Sequence, residues 1–248
     1  QRGMASMKRI EEILAEEPEI VDSVSARPIP DLSGEIEFRD LRFAYNGEKV
    51  LDEINLHIPA GTTVAVAGRV GSGQSTLGRL IPRLIQADPG MVRVDGIPVE
   101  EIPLKILRSS IGYVPQETFL FSDTLQENIA LGVKQAEEAD VEWATAVSQL
   151  SRDMDDFPEG YSTVLGERGV TMSGGQKQRT ALARAVMRRP GILILDDAMA
   201  SVDTHTEEEI LRGLREVMAE RTTFLISHRI STVREADQII VLQEGKII

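Results

Sequence analysis

A glycine-rich stretch, Gly68 to Thr76, has the composition and spacing of a phosphate-binding loop. It follows an apolar run at 63–67 that predicts a buried strand, and it precedes a helical pattern from Leu77 to Leu84. A strand, a glycine-rich turn and a helix in this order direct a row of backbone N–H groups towards a phosphate. The residues that we expect to bind the phosphate are Gly68, Gly71, Ser72, Gly73, Gln74, Ser75 and Thr76.

One position of this stretch departs from the pattern G-x-x-x-x-G-K-[ST]. Gly68, Gly73 and Ser75 fit the pattern, but Gln74 stands in the place of the lysine. A glutamine amide can donate a hydrogen bond to a phosphate, but it carries no charge. The structural alternative is therefore a glycine-rich turn that only connects a strand to a helix.

A second helix start has related features. Ser173 is a suitable N-cap, and Gly174 and Gly175, followed by Gln176, allow a ligand or another backbone to come close. The pattern predicts a helix that runs to about Arg188. By residue types alone this is a capped helix start, and anion binding at its free N–H groups is the less common use.

Four polar residues with possible chemical roles come at the ends of short apolar runs that predict strands. They are Gln116, Asp196, Asp197 and His228. The carboxyl ends of parallel strands share one edge of a sheet, where ligands of open α/β proteins bind. Two carboxylates after a buried strand are costly unless one of them meets a metal ion or a hydrogen-bond donor. We therefore expect these side chains to lie at the same edge as the glycine-rich loop.

Composition narrows the classes of function. A net charge of -13 over 248 residues disfavours broad nucleic-acid binding, which needs clustered cations. The absence of cysteine excludes disulfides, thiolate nucleophiles and cysteine-based zinc sites, and three scattered histidines do not suggest a metal cluster. No apolar run approaches the ~20 residues of a membrane span, and no signal-peptide pattern opens the chain. We expect a soluble domain of a reducing compartment.

The order of the patterns predicts an α/β fold with a mainly parallel sheet flanked by helices. Antiparallel strands near 34–60 and 90–100 would form a separate β subdomain. From Thr118 to about Leu150 the strand pattern vanishes, so a helical subdomain is expected at about 118–188.

The first residues predict a helix within 1–22 that Pro18 ends or bends, followed by a linker composition at 25–31. Two interpretations fit this segment. It is either a helix that docks on the domain that follows it or the end of a larger part of the protein that precedes residue 34.

The set of motifs resembles the nucleotide-binding domain of ATP-binding cassette (ABC) transporters, from about Gly34 to the end of the chain. The motifs that carry the resemblance are, in order, the glycine-rich loop, Pro115-Gln116, Ser173 to Gln176, the apolar strand before Asp196-Asp197, Ser201-Val202-Asp203 and Ser227-His228. The resemblance implies a P-loop NTPase core of the RecA-like type.

Three stretches are similar to the exporter branch of that family: Gly166 to Gly169, Gln116 to Phe121 and Lys8 to Leu14. The last resembles the segment that follows the final membrane helix of such exporters. The resemblance thus divides the chain into a linker at 1–33, following a transmembrane domain absent here, and a nucleotide-binding domain at 34–248. It implies a place at the cytoplasmic face of the cell membrane.

The resemblance implies ATP and Mg²⁺ as ligands. Tyr45 would stack on the adenine, and the backbone from Gly71 to Thr76 would hold the phosphates. The Mg²⁺ site would involve Ser75, Gln116 and Asp196. On its own, a tyrosine at a strand edge like Tyr45 is also a common structural feature.

The family's catalytic positions fall on Gln116, Asp197 and His228. Gln116 would touch the attacking water, Asp197 would act as the general base and His228 would contact the γ-phosphate. In the family, two such domains form a head-to-tail dimer around two ATP molecules. The segment Ser173–Gln176 would therefore act on ATP held by a partner domain, and Asp203 would signal across the interface.

Two positions depart from the family pattern in ways that matter for turnover. Gln74 replaces a lysine, and a charge-assisted contact of about 1.5–3 kcal/mol corresponds to a loss of roughly ten- to a hundredfold in ATP affinity. Asp197 replaces a glutamate, which withdraws the carboxylate by about 1.5 Å. A displacement of that size can cost on the order of a hundredfold in rate. Met172 in place of a leucine is a mild change.

These departures suggest one half of a heterodimeric exporter with a degenerate ATP site of its own and an intact Ser173–Gln176 segment that completes the partner's site. Its partners would be a transmembrane domain and a second nucleotide-binding domain, and no nucleic acid. Two alternatives are a nucleotide-sensing module without hydrolysis and an engineered, hydrolysis-deficient domain of a homodimeric exporter. A chromosome-maintenance ATPase or a translation factor of the same superfamily is disfavoured by the acidic balance and the single cassette.

Overall fold

The computed structural model describes residues 2–16, 18–23, 26, 29, 31–166 and 171–248. The α-helices are α1 (Arg2–Leu14), α2 (Gln74–Leu80), α3 (Leu104–Ser109), α4 (Leu125–Ile129), α5 (Glu138–Val147), α6 (Gly174–Met187), α7 (Thr204–Met218) and α8 (Ile230–Val233). The strands are β1 (Ile36–Tyr45), β2 (Glu48–Ile58), β3 (Thr63–Gly68), β4 (Val92–Val94), β5 (Ile97–Pro98), β6 (Ile111–Val114), β7 (Ile192–Asp196), β8 (Thr222–Ile226), β9 (Gln238–Gln243) and β10 (Lys246–Ile247). Short 3₁₀ helices occupy Val99–Glu101, Leu150–Asp156 and Gly160–Ser162. Within these ranges, no helix is long and apolar enough to cross a membrane.

A six-stranded sheet forms the centre of the molecule, in the order β10-β9-β3-β8-β7-β6. Its strands are parallel except for β10, which pairs antiparallel with β9. The residues of β7 and β8 are buried throughout, as expected for parallel strands covered on both faces. The prediction of an α/β fold with a mainly parallel sheet is confirmed.

The central sheet separates two hydrophobic cores. On β3, Val64 and Val66 face a core that β1, β2, α2 and α3 help to form, whereas Ala65 faces a core made with α4 to α7. Successive residues of a strand point to opposite faces, so one short strand contributes to both cores. The central strands are therefore held rigidly, together with the polar residues at their ends.

The predicted antiparallel β subdomain is the second sheet, with the order β2-β1-β4-β5. Asn46 and Gly47 form the turn between β1 and β2 with φ values of 48° and 85°. Strand β1 is irregular at Asp40, where the β1–β2 register shifts between Phe38 and Leu41 and Asp40 has a φ of 43°.

The region without strand patterns is helical, as predicted. Helices α4, α5 and α6 share one core with the 3₁₀ segment Leu150–Asp156. Thr124 is the N-cap of α4, where its Oγ1 accepts a hydrogen bond of 3.1 Å from Glu127 N. Helix α4 ends at Ile129.

The helix after the glycine-rich loop lies further towards the N-terminus than predicted. We expected it at Leu77 to Leu84, but α2 spans Gln74–Leu80. It begins directly at the glycine-rich turn and ends before Pro82, which has no N–H to donate. Arg83 then adopts a left-handed conformation with a φ of 52°, which is incompatible with a continuing helix.

The N-terminal segment contains the predicted helix as α1, whose residues Ile10 and Ile13 are exposed. The following segment touches the domain through Asp22, whose Oδ1 accepts a hydrogen bond of 2.6 Å from Leu104 N. Linker positions 25, 27, 28 and 30 and the exporter-like residues 167–169 lie outside the described residues. The division at residues 33 and 34 stays a prediction.

We expect Gly73→Ala to lower the free energy of unfolding by about 1–3 kcal/mol more than Gly71→Ala. Both glycines have positive φ, 102° and 85°, so alanine strains the backbone at both positions. A Cβ at position 73 would lie 2.6 Å from Leu51 Cδ2, whereas nothing lies within 4 Å of a Cβ at position 71. Urea-induced unfolding of the full chain measures the difference. Equal losses would show that Leu51 gives way without cost.

Candidate functional site

The glycine-rich loop forms one wall of an open cleft of ≈ 200 Å³ at the carboxyl edge of the central sheet. The loop is tightly turned, with Ser72 N donating a hydrogen bond of 3.0 Å to Arg69 O. The described residues that line the cleft are Val50, Val70, Gly71, Gly73, Gln74, Ser75, Thr76, Gln116, Asp196, Asp197, Ile226 and His228.

The cleft brings together the residues that the sequence placed at strand ends. Gln116 follows β6, Asp196 ends β7, Asp197 comes directly after it and His228 follows β8. These strands are neighbours in parallel register with β3, so their carboxyl ends meet beside the loop. Gln116 and His228 are exposed and accessible to a ligand from the cleft.

Asp196 is the most buried ionisable group of the cleft, with 1% of its surface exposed. Its Oδ1 accepts a hydrogen bond of 2.8 Å from Ser75 Oγ, and its Oδ2 accepts one of 3.3 Å from Tyr113 Oη. Burial raises the pKa of the Asp196 carboxyl, and the hydrogen bonds from Ser75 and Tyr113 oppose that shift. The ionised carboxylate is thus held at a cost that a bound cation would relieve.

Tyr113 is a site residue that the sequence analysis missed. Burial and the neighbouring Asp196 carboxylate raise the pKa of Tyr113 to about 12, so its hydroxyl stays a hydrogen-bond donor. The Arg79 guanidinium of α2 interacts with the hydroxyls of Tyr113 and Tyr45. The feature that could have identified Tyr113 is its position near the end of β6, the strand next to the one that ends in Asp196.

The Gln74 side chain carries no charge, and its amide is hydrogen-bonded to the backbone of β3. Its side chain is 5% exposed, and its Nε2 donates a hydrogen bond of 3.1 Å to Val66 O on β3. The described residues that line the cleft include two carboxylates but no lysine or arginine. The charge of the cleft therefore opposes anion binding unless a metal ion is bound with the anion.

The residues present fit a nucleotide phosphate and Mg²⁺ in part. Ser72 Oγ is buried beside Gly68 and has no hydrogen-bond partner, but Ser72 does not line the cleft, so the backbone N–H groups of the loop are the donors that a phosphate oxygen would meet. The Ser75 hydroxyl and the Asp196 carboxylate supply the hard oxygen ligands that Mg²⁺ prefers. No group of three or more histidine or acidic side chains among the described residues could hold a metal. Water and phosphate oxygens would complete the coordination.

Tyr45 does not line the cleft. It ends β1 with 39% of its surface exposed, and its ring packs edge-on against Phe43 at a centroid distance of 4.9 Å. A flat aromatic face near α2 is thus available to a planar group, and the predicted stacking on a base stays a prediction.

The Ser173–Gln176 segment starts α6 as predicted and does not line the cleft of its own chain. Ser173 Oγ accepts a hydrogen bond of 3.2 Å from Gln176 N, and Gln176 Oε1 accepts one of 2.9 Å from Ser173 N. This capping box leaves Gln176 Nε2 to donate to Asp156 Oδ2 at 2.8 Å. The segment and Asp203 therefore belong to a second, separate surface.

Asp203 is the N-cap of α7, where its Oδ1 accepts a hydrogen bond of 3.0 Å from Thr206 N. That hydrogen bond lowers the pKa of the Asp203 carboxyl, which therefore remains ionised. The preceding loop packs against the start of α6, because a Cβ at Gly175 would lie 3.2 Å from Ser201 O. Glycine at position 175 allows this close approach.

Known proteins similar to this chain point to one family. The family model described as ABC transporter matches residues 51–200. The ATP-dependent lipid A-core flippase of Desulfotalea psychrophila is 40% identical over 248 residues, covering 100% of this chain and 43% of that protein. ATP-binding cassette sub-family B member 6 of Homo sapiens is 40% identical over 249 residues, covering 100% of this chain and 30% of that protein.

A solved structure of a bacterial Atm1-family ABC exporter with ATP bound has the same fold, with a TM-score of 0.90 and 34% sequence identity. The match covers 99% of this chain and 43% of that chain. The chain thus spans less than half the length of these relatives.

We expect Asp196→Asn to raise the free energy of unfolding by about 0.5–2 kcal/mol at neutral pH in metal-free buffer. Since the folded pKa of Asp196 is raised, its ionised form destabilises the fold at pH values above that pKa. The advantage of the variant should vanish as the pH falls through the folded pKa to below the ordinary value near 4.

Thermal unfolding at several pH values measures this, with Asp155→Asn at an exposed position as the control. A less stable Asp196→Asn would show that the hydrogen bonds from Ser75 and Tyr113 outweigh the cost of burial.

Proposed function

The chain belongs to the ABC transporter family, and we propose that it is the ATP-binding domain of an exporter, with a degenerate ATP site of its own. It would pair with a second nucleotide-binding domain around ATP and Mg²⁺ and move a transmembrane domain from the cytoplasmic face of the membrane. The observation that carries the proposal is the cleft in which the glycine-rich loop, Ser75 and Asp196 meet without any lysine or arginine among the described lining residues.

Binding would use the parts of this cleft that are intact. Backbone N–H groups at the start of α2, among them those of Gln74, Ser75 and Thr76, would hold phosphate oxygens. Ser75 and Asp196, already in hydrogen-bond contact, would orient towards Mg²⁺. Bound Mg²⁺ would neutralise part of the phosphate charge in the place of the missing lysine.

Turnover would be limited at two positions. The Gln74 amide carries no charge and donates one of its N–H groups to Val66 O, so phosphoryl transfer would lack a positioned positive charge. Asp197 stands at the general-base position with a φ of 49°, a left-handed conformation that aspartate tolerates better than most residues. Its carboxylate is about one C–C bond short of the reach of a glutamate.

The intact surface at the start of α6 supports the other half of the proposal. Ser173 and the backbone N–H groups of Gly174 and Gly175 form a rigid, capped helix start on a surface away from the chain's own cleft. Such a start can bind an anion presented by another molecule. We assign it to the completion of a partner's ATP site, so the chain would be the degenerate half of a heterodimer.

A nucleotide-sensing module without hydrolysis is the second candidate. The lack of a cation in the cleft and the short Asp197 carboxylate both favour binding without turnover. A third reading, an engineered block in a homodimeric exporter domain, predicts that a single substitution restores activity.

We expect Gln74→Lys to increase Mg-ATP affinity by roughly ten- to a hundredfold, since it restores a charge-assisted contact. Equilibrium binding of a fluorescent ATP analogue and steady-state ATPase activity should be measured together. Gln135→Lys, which adds the same charge at an exposed position of the helical region, is the control.

Recovery of turnover with Gln74→Lys alone would favour the engineered homodimer. Recovery that also requires Asp197→Glu would establish a site degenerate at both positions. A wild-type chain that binds no Mg-ATP, and a variant that gains none, would contradict the proposal.

We expect Ser173→Ala in this chain to lower the ATPase rate of a complex with an intact partner domain by at least about tenfold. The reason is that Ser173 would lie at the partner's ATP, while the cleft of its own chain is untouched. Ser162→Ala, a change from serine to alanine in a 3₁₀ helix, is the control. Equal rates for Ser173→Ala and wild type would exclude the completing role.

A further inference from the structure

Arg229 connects two surfaces of the chain that the proposed function treats as separate. It follows His228 of the cleft, and its Nη2 donates hydrogen bonds of 3.1 Å to Ala200 O and 2.9 Å to Val202 O. These carbonyls flank Ser201, in the loop that leads to Asp203. One planar guanidinium therefore links the loop after β8 to the loop after β7.

A buried carboxylate holds this guanidinium in place. Glu207 of α7 is 1% exposed and forms an ion pair with Arg229 Nη1 through its Oε2. Its Oε1 accepts hydrogen bonds of 2.7 Å from both Ser231 Oγ and Thr232 Oγ1. Burial opposes ionisation, but the hydrogen bonds from Thr232, Ser231 and Arg229 outweigh it and lower the pKa of Glu207.

The network continues to the start of α6. Ser201 N donates a hydrogen bond of 2.7 Å to Gln178 Oε1, and a Cβ at Gly174 would lie 3.4 Å from Ser201 Cβ. Ser201 thus lies between Arg229 and the helix that carries Ser173. His228, Arg229, Ser201 and Gln178 form one chain of covalent and hydrogen-bonded neighbours from the cleft to α6.

We propose that Arg229, held by Glu207, is a positioning residue that couples the nucleotide cleft to the Ser173–Gln176 surface. A change in the loop of His228 moves the guanidinium, and the carbonyls of Ala200 and Val202 move with it. The use of this coupling for signalling between two ATP sites rests on the function proposed above. The contact itself does not depend on it.

Amide hydrogen exchange of the full chain without nucleotide tests the contact. We expect Arg229→Ala to accelerate exchange about tenfold at Ala200 and Val202, whose N–H groups are hydrogen-bonded within the loop after β7, and at Val233 of α8, whose N–H group donates to Arg229 O. Arg229→Lys keeps the ion pair with Glu207 but lacks the planar fork. It should restore protection at Val233 and not at Ala200 and Val202.

The control is Arg234→Lys, at an exposed arginine just after α8, which should leave all three amides unchanged. If Arg229→Ala does not fold, Glu207→Gln tests the same ion pair from its carboxylate side. Unchanged exchange at Ala200 and Val202 in Arg229→Lys would overturn the proposal. Equal acceleration in the interior of α7 and β8 would also overturn it, because it would reveal only general support of the fold.

The same measurement with Mg-ATP separates the two proposals. In the wild type, ATP should change exchange at Ser201 and at Gly174–Gln176, and Arg229→Lys should abolish that change while saturating Mg-ATP still protects the loop Gly68–Thr76. Protection of the loop Gly68–Thr76 without any change at Ser201 would refute the coupling. No ATP effect anywhere would refute the proposed function, while the nucleotide-free comparison would still decide the role of Arg229.

Discussion

The parallel register of β3, β8, β7 and β6 is the constraint on which the site depends. Each strand is covered on both faces by a hydrophobic core, so the polar residues of the site can only stand at the ends. Parallel strands end on the same edge, which gathers residues far apart in the chain into one cleft. Changing the register of one strand would remove its end residue from the site and reverse its apolar faces.

The same arrangement holds the Asp196 carboxylate in a buried position, where a bound cation would offset the cost of its charge. A carboxylate that is 1% exposed would ordinarily find a basic partner, but its hydrogen-bond donors here are the hydroxyls of Ser75 and Tyr113. Hydroxyls stabilise the anion without neutralising it, and its pKa stays raised. Because position 74 is not a lysine, the glycine-rich loop brings no positive charge to offset the charge of Asp196. The ionised carboxylate therefore depends more on a bound metal ion than it would beside a positively charged loop.

The proposed function assigns the chain two surfaces for a phosphate ligand, and they differ in completeness. The cleft has the glycine-rich loop, the Ser75 hydroxyl and the Asp196 carboxylate but no lysine or arginine among its described lining residues, whereas the start of α6 has a full capping box. Ser201 and Arg229 lie between them, in loops that leave neighbouring strands of the same sheet. The proposed coupling between the two surfaces would run through these few polar contacts.

Local patterns in the sequence were sufficient for most of the elements, although they misplaced the bounds of α2. Continuous apolar runs identified β7 and β8, Ser173 identified the start of α6, and the polar residues after the strands identified the cleft. These features depend on hydrogen bonds and side-chain periodicity within a few residues, which a sequence displays directly. The motif order also sufficed for the family.

Contacts between distant segments were decided only by the tertiary structure. No pattern indicated that Tyr113 would donate to Asp196, that Gln74 would turn to Val66 O or that Arg229 would bridge to Ala200 and Val202. The contacts of Tyr113 and Arg229 depend on the packing of strands and loops that are separated along the chain. For Gln74, the backbone turn sets the direction of the side chain. The start of α2 was misplaced for a related reason, because the glycine-rich turn and Pro82 together set where that helix begins and ends.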